Sequence, residues 1–447
     1  MFSAITSFFP SLWVGFESPQ ERRKFMLLSV IFGLILGVYW LLRPLKDGVF
    51  LTMVGPQYLG RVKLLSVVVI VPIVFIVTKL VDMFPRHRIL YGISALYAVL
   101  SVVFAILIMH PETGIANTVE STDRILGWAF YLFVETIGSV LVSFFWSFVS
   151  DITAPESAKR GYSLVILGAQ FGSVFFPFVG GNIVQNFGSG TAVACGAVSF
   201  LFIPAMVYYF MTTVSKDQMQ GFNGDEAAIE GKPPKPTFYE GLQLILTRPY
   251  LLGIFAVVTL YEIVATILEF QMKGLAKASV GGGDALTMFM MKYAVWVNLT
   301  ALLCAALGAG KISKKLGLAK TLLCMPIIVG LAALGIAYIP VLNVVFWLVV
   351  LLKGVNYSLN QPAKEQLYIP TSKDSKYKAK SWIDMFGSRS SKSLGGVIHD
   401  LFKSMGPDVF VLGTLTVSFG LIGVWAYAAI FLGKTHAEAI KENRIVC

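Results

Sequence analysis

The chain has 447 residues, 56% hydrophobic and only 14% charged, with a mean hydropathy of +0.73. A soluble domain averages about 45–50% apolar and about 25% charged residues, so a soluble core is excluded in favour of a polytopic membrane protein. The 36 Lys and Arg against 25 Asp and Glu leave a formal charge of +11, which in such a protein reads as cationic cytoplasmic loops; nucleic-acid binding is the weaker reading.

A membrane span needs about 20 apolar residues. In chain order, twelve stretches qualify: 26–44, 63–84, 88–110, 126–149, 162–184, 190–213, 250–271, 288–310, 319–338, 342–362, 381–402 and 409–432. None alternates with period two, which disfavours outer-membrane strands. The N-terminus shows neither a signal-peptide pattern nor a long Ser/Arg-rich transit segment, which favours a bacterial inner membrane. The spans divide six and six around a polar, Pro- and Gly-containing linker. The expected domains are a cytoplasmic N-terminus (1–25), an N-terminal six-helix bundle (26–213), a cytoplasmic linker (214–249), a C-terminal bundle (250–433) and a cytoplasmic tail (434–447).

Lys and Arg cluster on the side of the termini, at Arg22, Arg23, Lys24, Arg86, Arg88, Lys159, Arg160, Lys311, Lys314, Lys315, Lys441 and Arg444. The positive-inside rule therefore places both termini in the cytoplasm. The basic loops after spans two and eight (DMFPRHR and GKISKKLGLAK) match in kind. AKRGYSLVILGAQFGS (158–173) and YKAKSWIDMFGSRSSK (377–392) align at an offset that pairs Lys159 with Lys378, Gly168 with Gly387 and Gln170 with Arg389. Two repeated halves with these loops predict an all-α, major-facilitator-like fold of twelve transmembrane helices.

Charges inside the spans carry the functional argument, because an ionised group at mid-bilayer costs roughly 2.5–3.5 kcal/mol on insertion scales. In YWLLRPLKDG (39–48), Arg43 and Lys46 share a helix face, and Pro44 weakens the helix between them. A guanidinium fork beside a compact ammonium suits phosphate; two cations snorkelling to the outer interface is the equal alternative. Glu135 lies deep in FYLFVETIGSVLVSFFW, where a short side chain cannot snorkel and needs a cavity or a partner cation. Glu262 takes the matching place in span seven, followed by Glu269 and Lys273, which can simply pair with each other. Tyr261 and Tyr357 suit either a base stack or an interfacial belt. Asn356, Asn360, Gln361, Lys364 and Glu365 make the end of span ten unusually polar, Pro362 kinks it, and Lys364–Glu365 reads as a gate pair or a solvated end. Span eleven brings Lys380, Asp384, Arg389 and Lys392, with Arg389 and Lys392 echoing the spacing of Arg43 and Lys46.

Catalytic signatures are absent: there is no GxxxxGK[ST], HExxH or GxSxG, and His87, His110, His399 and His436 have no ligand spacing. The GGG at 281–283 follows no strand and reads as an external turn. Cys195, Cys304, Cys324 and Cys447 form no CxxC pair, so the cysteines are expected to be packing residues without disulfides or metal. No enzymatic activity, cofactor or metal is expected.

Together LRPLKD (42–47), ETIGSVLVSFFW (135–146), DITAPESAKRGY (151–162), Tyr261–Glu262, NYSLNQPAKEQLYIP and KAKSWIDMFGSRSSKSLGG resemble the non-mitochondrial ATP/ADP translocases, the nucleotide transporters of plastids and obligate intracellular bacteria. The resemblance runs from about Arg22 to Lys434. It implies counter-exchange of nucleotides, with Lys46, Glu135, Glu262 and Lys392 important for transport and Lys380 a rival for the last. The chain departs from that pattern at Asn360–Gln361, where Phe-Asp is frequent, and at Pro44, where a small polar residue is usual. The expected function is exchange of ATP for ADP. In the expected scheme, acid groups hold the lysines of an empty site and bound phosphate releases them. The alternatives are proton-coupled import of nucleotides, NAD or another organic anion, and a non-transporting nucleotide-binding membrane protein. The expected partners are nucleotides and the lipid bilayer, with no nucleic acid, and a monomer is favoured.

Overall fold

The computed structural model describes residues 16–219, 238–306, 309–372, 378–380, 382–442 and 444–447; the middle of the expected linker, 220–237, lies outside them. Among the described residues every regular element is helical. The helices are α1 (Pro19–Met53), α2 (Leu59–Met83), α3 (Arg86–Met109), α4 (Ile125–Asp151), α5 (Pro155–Thr213), α6 (Phe238–Thr247), α7 (Pro249–Val280), α8 (Asp284–Ala306), α9 (Ala309–Tyr338), α10 (Leu342–Val355), α11 (Ser388–Ser404) and α12 (Pro407–Lys441). A π-turn at Asn356–Asn360 and a short helix at Gln361–Gln366 continue α10, and a second π-turn at Ile383–Gly387 leads into α11.

Where the expected spans lie on described residues they are helical to within a residue at their ends; span 288–310 crosses 307–308 and span 381–402 begins at 381, residues outside the described ones. Helix α5, at 59 residues, would run about 90 Å if straight, against a hydrocarbon core of about 30 Å. It is two spans, broken where Gly188 adopts φ 83° and ψ 166°, a conformation that side-chain-bearing residues rarely take. Among the described residues ten helices are long and apolar enough to cross a membrane. Helix α5 counts once among them, and α11 does not qualify, because SRSSKSLGGVIHDLFKS is short and polar.

Span one is longer than expected. The sequence reading ends it at 44, but α1 continues through Pro44 to Met53, and nearly every residue of its last two turns is buried. At the other end, Ser18 caps α1 by accepting the Glu21 N–H at 3.0 Å. Lys24, read above as one of the basic loop residues, is 1% exposed. Its ammonium donates to the carbonyls of Ile152 (2.6 Å) and Gln218 (2.8 Å).

The chain forms two compact units. The first comprises residues 1–55, 68–233 and 280–298, the second 56–67, 234–279 and 299–447. These differ from the division expected from sequence in two segments, 56–67 and 280–298. Hydrogen bonds account for both memberships. In the second unit Asp400 accepts the Gly60 N–H at 2.9 Å, at the free N-terminus of α2. In the first, Asp284 accepts the Ser189 N–H and Thr52 accepts the Gly283 N–H, each at 2.9 Å.

Within the first unit α1 packs most extensively on α5 and also against α4. The α1–α5 approach is backbone to backbone. A Cβ on Gly168 would lie 2.2 Å from the Ser29 carbonyl oxygen, and one on Gly172 would lie 2.1 Å from that of Gly33. Lipid supplies no hydrophobic drive between helices, so such small-residue contacts are what dispersion and close packing require. Within the second unit α9 packs on α10 and α12, and α11 on α12. Gly387, the sequence counterpart of Gly168, faces Phe255 of α7.

Candidate functional site

In the first unit, Lys46 is 2% exposed and forms a short ion pair with Glu135 of α4. Its ammonium sits 3.9 Å from the centre of the Tyr131 ring, one turn before Glu135 on α4, and Asp47 lies 3.9 Å away. A cation removed from water needs such a carboxylate and π-face, and a desolvated cation–π contact is worth about 2 kcal/mol. Arg43 points elsewhere. Its guanidinium lies over the rings of Trp40 (4.7 Å) and Tyr39 (6.0 Å). The snorkelling alternative fails for Lys46, which lies seven residues before the end of α1 and is buried. Helix α4 places Glu135 on its eleventh residue, deep enough that only another side chain can pair it.

In the second unit, Glu262 on α7 lies 3.7 Å from the ammonium of Lys392 on α11. This pair is wetter, with side chains 14% and 37% exposed. Lys380, the rival of Lys392, pairs instead with Glu365 at an exposed position. The adjacent Lys364 and Glu365 therefore part company: Lys364 is 5% exposed and sits 5.5 Å above the ring of Tyr261, whereas Glu365 reaches Lys380. Tyr261 is 1% exposed, its ring against Trp425 at 5.8 Å, so it belongs to no interfacial belt. Tyr357, by contrast, is exposed. Asn356 accepts a hydrogen bond from the Asn360 amide at 2.8 Å, across one turn of the π-helix. Isolated π-turns inside α-helices are rare and concentrate at functional sites; here two of them flank the Lys364–Lys380 region. Asp384, in the second π-turn, is exposed, and Arg389 is half-buried at the start of α11.

Sequence reasoning missed Lys353, although its own rule applies to it: a lone lysine twelve residues into α10. It also left Glu269 and Lys273 as a self-contained pair. Glu269 in fact accepts from both Lys273 and Lys353, each at 2.9 Å, and these three side chains are 2–11% exposed. A cavity of about 220 Å³ elsewhere in this unit is lined mainly by apolar groups such as Leu268, Ile336, Phe410 and Val411, chemistry unsuited to a polyanion. Among the described residues no cluster of His, Cys, Asp and Glu could hold a metal ion.

The family described as "TLC ATP/ADP transporter" matches residues 7–346 and 333–436 of the chain. Curated relatives include the ADP,ATP carrier protein 1 of Chlamydia muridarum, 26% identical over 95% of this chain and 91% of that one. Another is the ADP,ATP carrier protein 1 of Rickettsia bellii, 25% identical over 95% of both. Among solved structures, a bacterial homologue of ferroportin superposes with a TM-score of 0.62 at 12% identity, over 93% of this chain and 100% of that one. A bacterial homologue of the transporter Spinster gives 0.58 at 14%, over 95% and 99%. At these identities the solved structures establish the fold: all-α and major-facilitator-like.

Proposed function

The chain belongs to the TLC ATP/ADP transporter family, and on that premise we propose that it exchanges ATP for ADP across a bacterial inner membrane by alternating access. It is a multi-pass membrane transporter and not an enzyme. One observation carries the mechanistic reading: a lysine of each unit rests on a carboxylate of the same unit, Lys46 on Glu135 and Lys392 on Glu262. A nucleotide phosphate competes with each carboxylate for its lysine, because charge-assisted hydrogen bonds to phosphate and carboxylate are of similar kind. Substrate at either pair thereby converts an internal ion pair into a contact with itself, and the freed carboxylate faces the ribose or water. An unloaded carrier keeps its pairs and resists reorientation, which makes transport an exchange. Buried pairs are costly to break singly, so the holding pair supplies the barrier and the phosphate removes it.

Both termini lie in the cytoplasm in this reading, as the distribution of Lys and Arg directs, and the chain acts as a monomer without nucleic acid.

Proteoliposomes preloaded with ADP are expected to take up labelled ATP much faster than empty ones. Equal rates would refute exchange, and uptake into empty vesicles that rises with an imposed pH gradient would replace it with proton coupling. A competition panel of ADP, GTP, CTP, UTP and NAD against labelled ATP defines the base preference.

A further inference from the structure

Resting on the nucleotide-exchange reading, we propose that Lys353 is a further phosphate-binding residue of the transporter, held in place by Glu269. Three observations carry this. First, the arrangement repeats a pattern found in the first unit. There the first long helix of the half, α1, offers Lys46 and the fourth, α4, offers its partner Glu135 on its eleventh residue. In the second unit the first long helix, α7, offers Lys273, seven residues before its end at Val280, as Lys46 is seven before Met53. The fourth, α10, offers Lys353 on its twelfth residue. Two lysines would repel at that place, and Glu269, one turn before Lys273, lies between them at 2.9 Å from each.

Second, Lys353 is held by more than one acid: Glu269 at 2.9 Å, with Glu262 in electrostatic reach. An incoming phosphate that takes Lys353 from Glu269 exchanges one charge-assisted contact for another of similar kind.

Third, the triad is drier than the neighbouring pair. Lys392 is 37% exposed and Glu262 14%, against 11% for Glu269, 8% for Lys353 and 2% for Lys273, and Lys353 lies within electrostatic reach of Glu262. A phosphate that draws Lys392 from Glu262 then comes within the field of Lys353. Glu269 then acts as a positioning residue, sharing its charge with Lys273 when Lys353 turns to substrate.

The test uses the full chain in proteoliposomes. Lys353→Met is expected to raise the KM for ATP and the inhibition constant of pyrophosphate by about ten-fold or more, the loss of one charge-assisted contact, whereas Lys353→Arg keeps both within about three-fold. Thermal unfolding in detergent separates folding from binding. The triple variant Lys273→Met, Glu269→Leu, Lys353→Met removes all three charges of the triad together and is expected to fold yet show the same rise in both constants. Wild-type constants in either the single or the triple variant would overturn the proposal and leave the triad a helix clamp. Wild-type protein that exchanges no nucleotide would remove the functional reading itself, and this inference with it.

Discussion

Lys46 shows how one residue's meaning changes with its surroundings. By position alone it is a cation near the end of an apolar run, able to snorkel. In the folded chain it is buried, over Tyr131 and against Glu135. Removing one partner of a buried pair leaves the other uncompensated, at about 3–5 kcal/mol, whereas removing both is often neutral. Lys46→Gln is therefore expected to lower the unfolding temperature markedly. Lys46→Gln with Glu135→Gln should recover most of that loss. Neither variant should exchange nucleotide, because the phosphate-binding cation is gone from both. Recovered transport in the double variant would assign the pair to stability alone. Lys24 teaches the same lesson: counted as a loop charge by its neighbours in sequence, it is buried and ties α1 to the carbonyls of Ile152 and Gln218.

Helices in this protein are held by close approach as much as by apolar area, as α1 and α5 illustrate. Gly172 meets a carbonyl oxygen of Gly33, which has no flexible end to move aside. Gly172→Val should drive the helices apart and destabilise the first unit by several kcal/mol, in the range of severe overpacking or worse. Gly92 of α3 has nothing within 4 Å of an added Cβ. Gly92→Ala should be neutral or stabilising by up to about 1 kcal/mol, from helix propensity. Thermal unfolding of the two purified variants checks the contrast; equal effects would refute the packing argument. The π-turns belong to this scale too. The polar run NYSLN signals an irregular helix end, and Pro362 follows it, but which hydrogen bonds shift by one residue depends on what packs against the turn.

At the scale of the whole molecule, the proposed orientation, with both termini cytoplasmic, rests on the distribution of basic residues. Cys447 is in no disulfide and lies on the side assigned to the cytoplasm in the proposed orientation. With Cys195→Ala, Cys304→Ala and Cys324→Ala in place, a membrane-impermeant maleimide should label inside-out vesicles and leave intact cells unlabelled. Labelling of intact cells would invert the topology. The two compact units are also a property of this scale. Residues 56–67 and 280–298 join their units through hydrogen bonds to Asp400, Asp284 and Thr52, partners distant in sequence that no local pattern identifies.

Composition and hydropathy by themselves determined that the chain is helical and membrane-embedded, because the cost of unpaired backbone in lipid leaves few alternatives to long apolar helices. They also singled out Lys46, Glu135, Glu262 and Lys392 as charges set in or beside apolar runs, since each buried ion is expensive enough to stand out there, but passed over Lys353. The tertiary structure decided the pairing. Whether Lys392 or Lys380 faces Glu262, whether Glu269 serves one lysine or two, and whether Lys364 joins Glu365 or Tyr261 depend on distances of a few ångströms between helices far apart in sequence. Coulombic and hydrogen-bond energies fall steeply over such distances, and one-dimensional spacing does not contain them.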